Sequence, residues 1–243
     1  MSTKVKIVIA VPSSGRFVPF QWAMALGNFK TPFNTATTQI TAFSKDRGAC
    51  RDALVDAAIQ LGAEYLFFLD DDTVPPPNVL PLLAQELDQD PEAMVCGGIY
   101  VSKTDPVSPL VFLERGSGPC WTWKYGDVFP CNVVATGSMM IRLSVFQKIS
   151  KPYFKDLVWK STEGPRPDPI IPDDVNEINL SDDVYFCRKL EAIGAKVLAH
   201  GGVLPVHFSP GKKPFVLPDN SPPLRGTDPK TLWYRQMLEP YGM

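Results

Sequence analysis

Gly62-Ala63-Glu64-Tyr65-Leu66-Phe67-Phe68-Leu69-Asp70-Asp71-Asp72 is the segment of this 243-residue chain that indicates its fold. Before it, apolar residues recur at helical spacing over residues 49–61, and Gly62 can take the left-handed conformation that ends a helix. The run at 65–69 is apolar without alternation, as in a strand that helices cover on both faces. The segment therefore predicts a helix, a turn and a buried strand.

The same order of elements returns later in the chain. A helical stripe over residues 184–193 is followed by Gly194 and by the apolar run at 196–199. Further strands are predicted at 5–11, 94–101 and 133–143. Repeated helices and buried strands predict an α/β fold with a mostly parallel central sheet and helices on both faces.

Length and composition indicate a soluble globular protein. Hydrophobic residues make up 44% of the chain and charged residues 21%, which is the ordinary range for such proteins. The 24 Lys and Arg residues against 26 Asp and Glu give a net charge of -2, so no overall basic field exists to hold nucleic acid. We see no signal sequence, no apolar run of membrane-spanning length and no Cys-x-x-Cys pair among the five cysteines. We therefore expect a cytoplasmic protein without a membrane span or disulfide.

We expect one domain over residues 1–208, followed by a proline-rich segment over residues 209–243 that packs on the domain or caps it. The first part of that segment, residues 209–228, is rich in proline, glycine and lysine, which is typical of an irregular loop. Residues 227–238 predict a short helix with a cap at Thr227 or Asp228 and a proline in its first turn.

Three consecutive carboxylates, Asp70, Asp71 and Asp72, follow the buried strand at 65–69. Adjacent like charges destabilise a protein unless a cation neutralises them. Mg²⁺ and Mn²⁺ prefer oxygen ligands and are commonly held by one or two carboxylates together with substrate phosphates. A solvated acidic turn is the structural alternative, but the position directly after a buried strand favours a metal site.

The first predicted strand also ends in a polar cluster, Pro12-Ser13-Ser14-Gly15. Ligands of open α/β sheets bind beyond the carboxyl ends of the strands. We therefore expect this cluster and the three acids to meet in one crevice.

A second acidic motif, Ser181-Asp182-Asp183, stands at the predicted start of a helix. Ser181 is a favourable N-cap, and acids in the first turn are stabilised by the helix dipole, so a structural role explains the motif. A carboxylate in this position is also held rigidly, as a general base for an acceptor hydroxyl must be.

The chain has two histidines, His200 and His207. His207 ends an apolar run beyond the acidic helix, and neutral imidazole is a common metal ligand. A single histidine is more often a core or surface residue, and His200 is the competing candidate.

Gly137 interrupts the apolar strand predicted at 133–143. Glycine inside a strand permits a bulge or the close approach of a ligand to the backbone. A simple kink in a core strand explains the residue equally well.

In their order along the chain, these motifs resemble those of the GT-A fold glycosyltransferases, in particular the inverting family 2. Residues 8–12 resemble the first nucleotide-binding strand of that family, Arg51-Asp52 its Arg-Asn-x-x-Val helix, residues 68–72 its Asp-x-Asp motif, residues 136–142 its acceptor strand, residues 181–183 its Glu-Asp motif, and His207 its C-terminal metal histidine. The resemblance spans residues 5–208 and implies a GT-A (Rossmann-like) nucleotide-diphospho-sugar transferase fold.

The resemblance also implies a role for each matching residue. Asp72 would bind Mn²⁺ or Mg²⁺ directly, Asp70 would contact the ribose or the metal through water, and His207 would complete the protein ligands. Asp183 would take the proton from the acceptor hydroxyl, and the metal would stabilise the departing nucleoside diphosphate. The nucleotide side would comprise Pro12, Ser13, Arg47, Arg51, Asp70 and Asp71, and the acceptor side Gly137, Ser138 and Asp182.

The activity implied is transfer of a sugar from a nucleoside-diphosphate sugar, with uridine diphosphate the expectation for the family. The acceptor hydroxyl would belong to a glycan, a protein or a modified nucleobase. Asp182 stands where the family usually has glutamate, and Asp52 replaces the asparagine of its Arg-Asn pair. The Gln-x-x-Arg-Trp motif of processive synthases is missing, so we expect addition of a single sugar.

Two other functions stay open on the sequence. A non-catalytic nucleotide-sugar or carbohydrate-binding protein of the same fold would keep the site without turnover, and the unusual Asp182 favours it. A sugar nucleotidyltransferase would also hold metal on paired aspartates. That class usually has a basic, glycine-rich phosphate loop after the first strand, which residues 13–16 match only weakly.

Overall fold

The computed structural model of the chain describes residues 5–15, 17–168, 170–171 and 175–239. Within them the strands are β1 Val5–Ser13, β2 Ala36–Phe43, β3 Tyr65–Leu69, β4 Thr73–Val74, β5 Ala93–Gly98, β6 Val111–Phe112, β7 Val128–Pro130, β8 Val133–Val134, β9 Ser138–Arg142, β10 Leu157–Lys160, β11 Glu177–Leu180, β12 Lys196–His200 and β13 Val206–His207. The α-helices are α1 Phe20–Gly27, α2 Arg47–Gln60, α3 Val79–Gln89, α4 Asp182–Ala192 and α5 Trp233–Leu238.

A central sheet contains seven of these strands in the order β2-β1-β3-β9-β5-β12-β7. Strand β1 is parallel to both β2 and β3, and β12 is parallel to β5. Strand β9 lies antiparallel between β3 and β5, and β7 is antiparallel to β12. All strands of this sheet except β9 and β7 therefore run in one direction. The predicted α/β fold with a mostly parallel central sheet is confirmed.

Side chains of β3 alternate between two hydrophobic cores, one on each face of the sheet. Tyr65, Phe67 and Leu69 pack in the core that contains residues of α3. Leu66 and Phe68 pack in the core that contains residues of α2 and α4. Every residue of β3 is buried because helices cover both faces, which explains why its sequence shows no alternation.

Helix α2 connects the edge strand β2 to strand β3. Its N-cap is Asp46, whose side chain accepts a hydrogen bond from the Ala49 N–H at 3.0 Å. Its buried side chains Leu54 and Val55 face the second core. The helix ends before Gly62, which has a φ of 66°, so this glycine takes the left-handed conformation that its position predicts.

The strand predicted over residues 133–143 is interrupted. It consists of β8 and β9, which are separated by residues 135–137 and belong to different sheets. The interruption lets the segment between them pass beneath the acidic cluster that follows β3. Strand β9 is also the strand that runs against its neighbours β3 and β5.

The C-terminal segment packs on the domain through apolar side chains. Leu217, Leu224 and Tyr234 belong to the first core, and the Trp233 indole donates a hydrogen bond to the Leu204 carbonyl at 2.9 Å. The α-helix begins later than predicted because a 3-10 turn at Pro229–Thr231 comes first. Residues 240–243 lie outside the described residues.

None of the described helices is both long enough and apolar enough to cross a membrane. All five cysteines are free thiols.

Candidate active site

A cavity of about 540 Å³ opens beyond the carboxyl ends of β1 and β3. The start of α2, the start of α4 and the residues that follow β5 complete its wall. Its lining includes Pro12, Ser13, Ser44, Lys45, Arg47, Arg51, Asp70, Asp71, Asp72, Tyr100, Lys103, Thr136, Asp182, Asp183 and His207. The structure thus brings together the polar cluster after β1, the three acids, the acidic helix and His207.

The side chain of Arg51 lies buried between two of the carboxylates. Its Nε donates to Oδ2 of Asp182 at 2.7 Å, and its Nη2 donates to Oδ1 of Asp70 at 2.8 Å. The residue is only 2% exposed, and its guanidinium carbon is 5.2 Å from the centre of the Phe68 ring. Burial, the largest influence, lowers the pKa of Arg51, but the two carboxylates more than offset it and the pKa is raised. Arg51 is therefore a permanent cation that neutralises both acids.

This geometry directs Arg51 toward the protein's own carboxylates. The Arg51 side chain connects three elements, namely α2, the turn after β3 and the start of α4. Arg47 lies at the rim instead: its side chain is 60% exposed, and its Nη2 is 3.7 Å from Asp156 and 4.0 Å from Asp182. Asp182, predicted on the acceptor side, is buried as a partner of Arg51. Contacts of any of these residues with nucleotide or acceptor stay predictions.

Asp72 is held between a lysine and a histidine. Its Oδ2 accepts a hydrogen bond from Nζ of Lys103 at 2.6 Å, and its Oδ1 is 3.5 Å from Nε2 of His207. Burial, the largest influence, raises the pKa of Asp72, but His207 and Lys103 together hold it well below its ordinary value. Asp72 is therefore an anion throughout the physiological pH range.

His207 is oriented by the backbone of two strands. It lies in β13, which pairs with β4 directly after the acidic cluster, and its Nδ1 is 2.8 Å from the carbonyl oxygen of Val101. Because a carbonyl can only accept, Nδ1 carries the hydrogen and Nε2 is the nitrogen that faces Asp72. A histidine whose other nitrogen is fixed in this way is typical of metal ligands. His200 is buried and does not line the cavity.

The pair formed by Asp72 and His207 fits a divalent cation. Two ligands that are each about 2.1 Å from one ion lie roughly 3 to 3.5 Å apart, and Oδ1 of Asp72 is 3.5 Å from Nε2 of His207. Among the described residues, no group of three or more His, Cys, Asp or Glu side chains is placed to hold an ion. Mg²⁺ and Mn²⁺ fit such a sparse set because phosphates and water supply their other ligands. Oδ1 of Asp70 is occupied by Arg51, and the contact of Asp70 with the metal through water stays a prediction.

The other two acids are fixed by residues of β1 and α1. The hydroxyl of Ser13, at the end of β1, donates to Oδ2 of Asp71 at 2.9 Å. The indole of Trp22 in α1 donates to the carbonyl oxygen of Asp70 at 2.8 Å. The turn after β3 is therefore held from both sides. Arg16, the basic residue of the weak phosphate-loop match, lies outside the described residues.

Asp183 lies in the first turn of α4 and faces the cavity. Ser181 occupies the N-cap position, but its hydroxyl donates to the Asp183 carboxylate and accepts no hydrogen bond from a backbone N–H of the helix. The same carboxylate oxygen accepts from the Val184 N–H at 2.8 Å. Burial raises the pKa of Asp183, and the adjacent Asp182 raises it further, although the Ser181 hydrogen bond opposes them. A rigid carboxylate with a raised pKa suits a general base.

Gly137 lies beneath the acidic turn and allows its close packing. A Cβ at this position would be 2.5 Å from the Tyr100 hydroxyl and 3.0 Å from Oδ2 of Asp70. The Gly137 N–H donates to the Tyr100 hydroxyl at 3.0 Å, and its carbonyl accepts from the Asp70 N–H at 3.2 Å. Ser138 is fully buried in β9. Neither Gly137 nor Ser138 lines the cavity, although the preceding residue Thr136 does. The acceptor-side role of Gly137 and Ser138 therefore stays a prediction.

Comparison with known proteins finds a family resemblance over part of the chain. Residues 38–148 match the model of the family described as Glycosyl transferase family 2. This region, which is less than half of the chain, is similar to glycosyl transferase family 2. The match includes α2, the three acids and β9, and it confirms the resemblance to GT-A glycosyltransferases.

The fold of the chain is also found among solved structures. Protein A197 from STIV is 17% identical over 89% of this chain and 96% of that chain, with a TM-score of 0.57. At this identity the likeness concerns the fold alone. None of the curated proteins compared with the chain matches it.

Sequence reasoning missed Lys103 and Tyr100 in the wall of the cavity. Both follow β5, and the rule that ligands bind beyond the carboxyl ends of strands, applied to β1 and β3, points equally to the residues after β5. Lys103 has no motif around it. Its partner Asp72 is 31 residues away in sequence, so only the fold reveals the contact.

Replacing Arg51 by methionine should destabilise the protein by about 3–5 kcal/mol, because two carboxylates lose their buried cation. Urea denaturation of wild type and R51M measures the difference. K160M is the matched control: the Lys160–Glu177 pair is 3.0 Å long but at least half exposed on each side, so its loss should cost at most about 1 kcal/mol. Equal costs for the two variants would contradict the structural role given to Arg51.

Replacing Gly137 by alanine should destabilise the protein by about 1–3 kcal/mol, since the added methyl group forces the packed Tyr100 and Asp70 apart. G27A serves as control, because a Cβ at Gly27 meets no atom within 4 Å. It should leave stability unchanged or raise it slightly. Thermal melting of both variants makes the comparison, and an unaffected G137A would show that the turn has room to relax.

Proposed function

We propose that this protein is a metal-dependent, inverting glycosyltransferase that moves a single sugar from a nucleoside-diphosphate sugar to an acceptor hydroxyl. The family match of residues 38–148 supports glycosyl transfer by a GT-A enzyme. The observation that carries the finer proposal is that Asp72, His207 and Asp183 line one cavity beyond the carboxyl ends of the parallel strands.

Asp72 and His207 would hold Mn²⁺ or Mg²⁺, which when bound neutralises charge on the diphosphate leaving group. Pro12 and Ser13 would contact the nucleotide from the end of β1, where nucleotides bind in open α/β folds. Asp70 and Asp71 would lie on the same side. The donor proposed first is a uridine-diphosphate sugar, as the family resemblance implies.

Asp183 would be the general base. Its carboxylate would accept the proton of the acceptor hydroxyl while that oxygen forms a bond to the anomeric carbon. The bond from the anomeric carbon to the diphosphate oxygen would break on the opposite side, so the configuration inverts. The raised pKa of Asp183 supports this role, because a stronger base removes a hydroxyl proton more readily. The hydroxyl would belong to a glycan, a protein or a modified nucleobase.

Nucleoside diphosphates should stabilise the protein when Mn²⁺ is present. At a concentration of about 100 Kd a ligand adds roughly 2.7 kcal/mol, which for a chain of this size corresponds to a rise in Tm of about 5–10 °C. We suggest melting curves with UDP, GDP and dTDP, each with Mn²⁺ or EDTA, followed by assays of donor hydrolysis with the corresponding sugars. A folded sample that responds to none of them would refute the proposed function.

Asp183→Asn should abolish turnover while leaving donor affinity within about twofold. Loss of a general base typically costs 10²-fold or more in rate, whereas the amide keeps the size of the side chain. The measurements are the rate of donor hydrolysis and the Kd for the nucleoside diphosphate. D56N, which changes an exposed aspartate outside the cavity lining, should match wild type in both.

This variant also separates the enzyme from a non-catalytic binder of the same fold. A binder would show no wild-type turnover for D183N to remove. An active D183N would instead exclude Asp183 as the base.

A further inference from the structure

Lys103 supplies a positive charge at the carboxylate that is proposed to hold metal. Its Nζ is 2.6 Å from Oδ2 of Asp72, while Oδ1 of the same carboxylate faces His207. The Lys103 side chain is 28% exposed and that of Asp72 12%. The chain therefore places its own ammonium group next to the position where a divalent cation fits.

The loop that carries Lys103 is anchored beside His207. Its base is closed by the Ser102 N–H, which donates to the Ser108 carbonyl at 2.8 Å, and by a bridge between Val101 and Pro109. Val101 also provides the carbonyl that orients His207. One backbone segment thus fixes the metal-facing histidine and the start of the lysine side chain, whose flexible four-carbon stem lets the ammonium group move.

The other cations of the cavity wall are placed differently. Arg51 is buried between Asp70 and Asp182, and Arg47 is at the exposed rim near Asp156. Lys45 is exposed at the rim as well. Among the described cations that line the cavity, Lys103 is bonded to Asp72 and also reaches the cavity.

Lys103 and a divalent cation compete for Asp72. Two cations that share one carboxylate repel each other across a few ångströms of poorly solvated space. A cation bound at Asp72 and His207 therefore weakens the contact of the ammonium group with that carboxylate. A diphosphate at the same place brings new oxygen acceptors and negative charge, and lysine is a common phosphate ligand.

We propose that Lys103 is a diphosphate-binding residue whose ammonium group exchanges Asp72 for a phosphate oxygen when the donor and a divalent cation bind. This inference rests on the proposed function. It makes Lys103 an internal counter-ion of the empty site and a ligand of the leaving group in the filled site. Metal alone then binds weakly, and metal and nucleoside diphosphate bind cooperatively.

Calorimetric titrations of wild type, K103M and K103R test this exchange. The probes are Mn²⁺ alone, UDP with Mn²⁺, and uridine. In K103M, Mn²⁺ alone should bind several-fold more tightly, because its competitor is gone, and UDP with Mn²⁺ should bind about tenfold more weakly or worse. K103R keeps the charge and should retain most of the UDP affinity. Uridine, which lacks phosphates, should bind all three proteins equally.

K45M is the matched control, since it removes one positive charge from the rim of the same cavity. A loss of UDP affinity in K45M equal to that in K103M would overturn the proposal. The general positive electrostatic potential of the cavity would then explain both losses. Unchanged Mn²⁺ and UDP binding by K103M would overturn it as well, while wild-type binding of UDP would leave the proposed function intact.

Failure of wild type to bind UDP, GDP or dTDP with Mn²⁺ would refute the proposed function and this inference together. Melting curves establish that each variant is folded. Should K103M not fold, K103Q carries the same test, because it also removes the charge.

Discussion

The site depends on one buried cation. Arg51 neutralises Asp70 and Asp182, which the fold brings together from the end of β3 and the start of α4. Without a cation between them, two carboxylates in poorly solvated surroundings repel each other. This repulsion would push apart the end of β3 and the start of α4. The Phe68 ring beneath the guanidinium adds a favourable contact. The same ion-paired cluster therefore fixes the floor of the cavity and the start of α4, where the next residue, Asp183, lines the cavity.

Asp72 is neutralised in a different manner from Asp70. Asp70 has a buried, permanently charged arginine as its partner, whereas Asp72 has a partly exposed lysine and a histidine. A buried arginine that is hydrogen-bonded to two carboxylates is a structural partner that a ligand cannot easily displace. A lysine on a flexible stem can leave. Asp70 thus has a permanent partner, whereas the proposed exchange concerns the lysine partner of Asp72.

The sequence predicts those parts of the site that directly follow strands with a clear apolar pattern. The unbroken apolar run of β3 predicts where Asp70 and Asp72 must lie, and the fold class follows from repeated helices and buried strands. Strand β2 was missed because it is an edge strand whose residues are all partly or fully exposed, so its pattern is polar. The pairing of Lys103 with Asp72 depends on the tertiary arrangement of two loops, and no local pattern encodes it.

The cavity is assembled from distant parts of the chain. The contact of Arg51 with Asp182 spans 131 residues, and that of His207 with Val101 spans 106. Closing such long loops costs entropy that is recovered only when the partners meet, so contacts of this kind form late in folding. A fragment limited to residues 38–148 would keep the three acids but lack Asp183 and His207. Under the proposed function, donor binding therefore requires the chain as far as His207, and a chain clipped before that residue would lack one of the two proposed metal ligands.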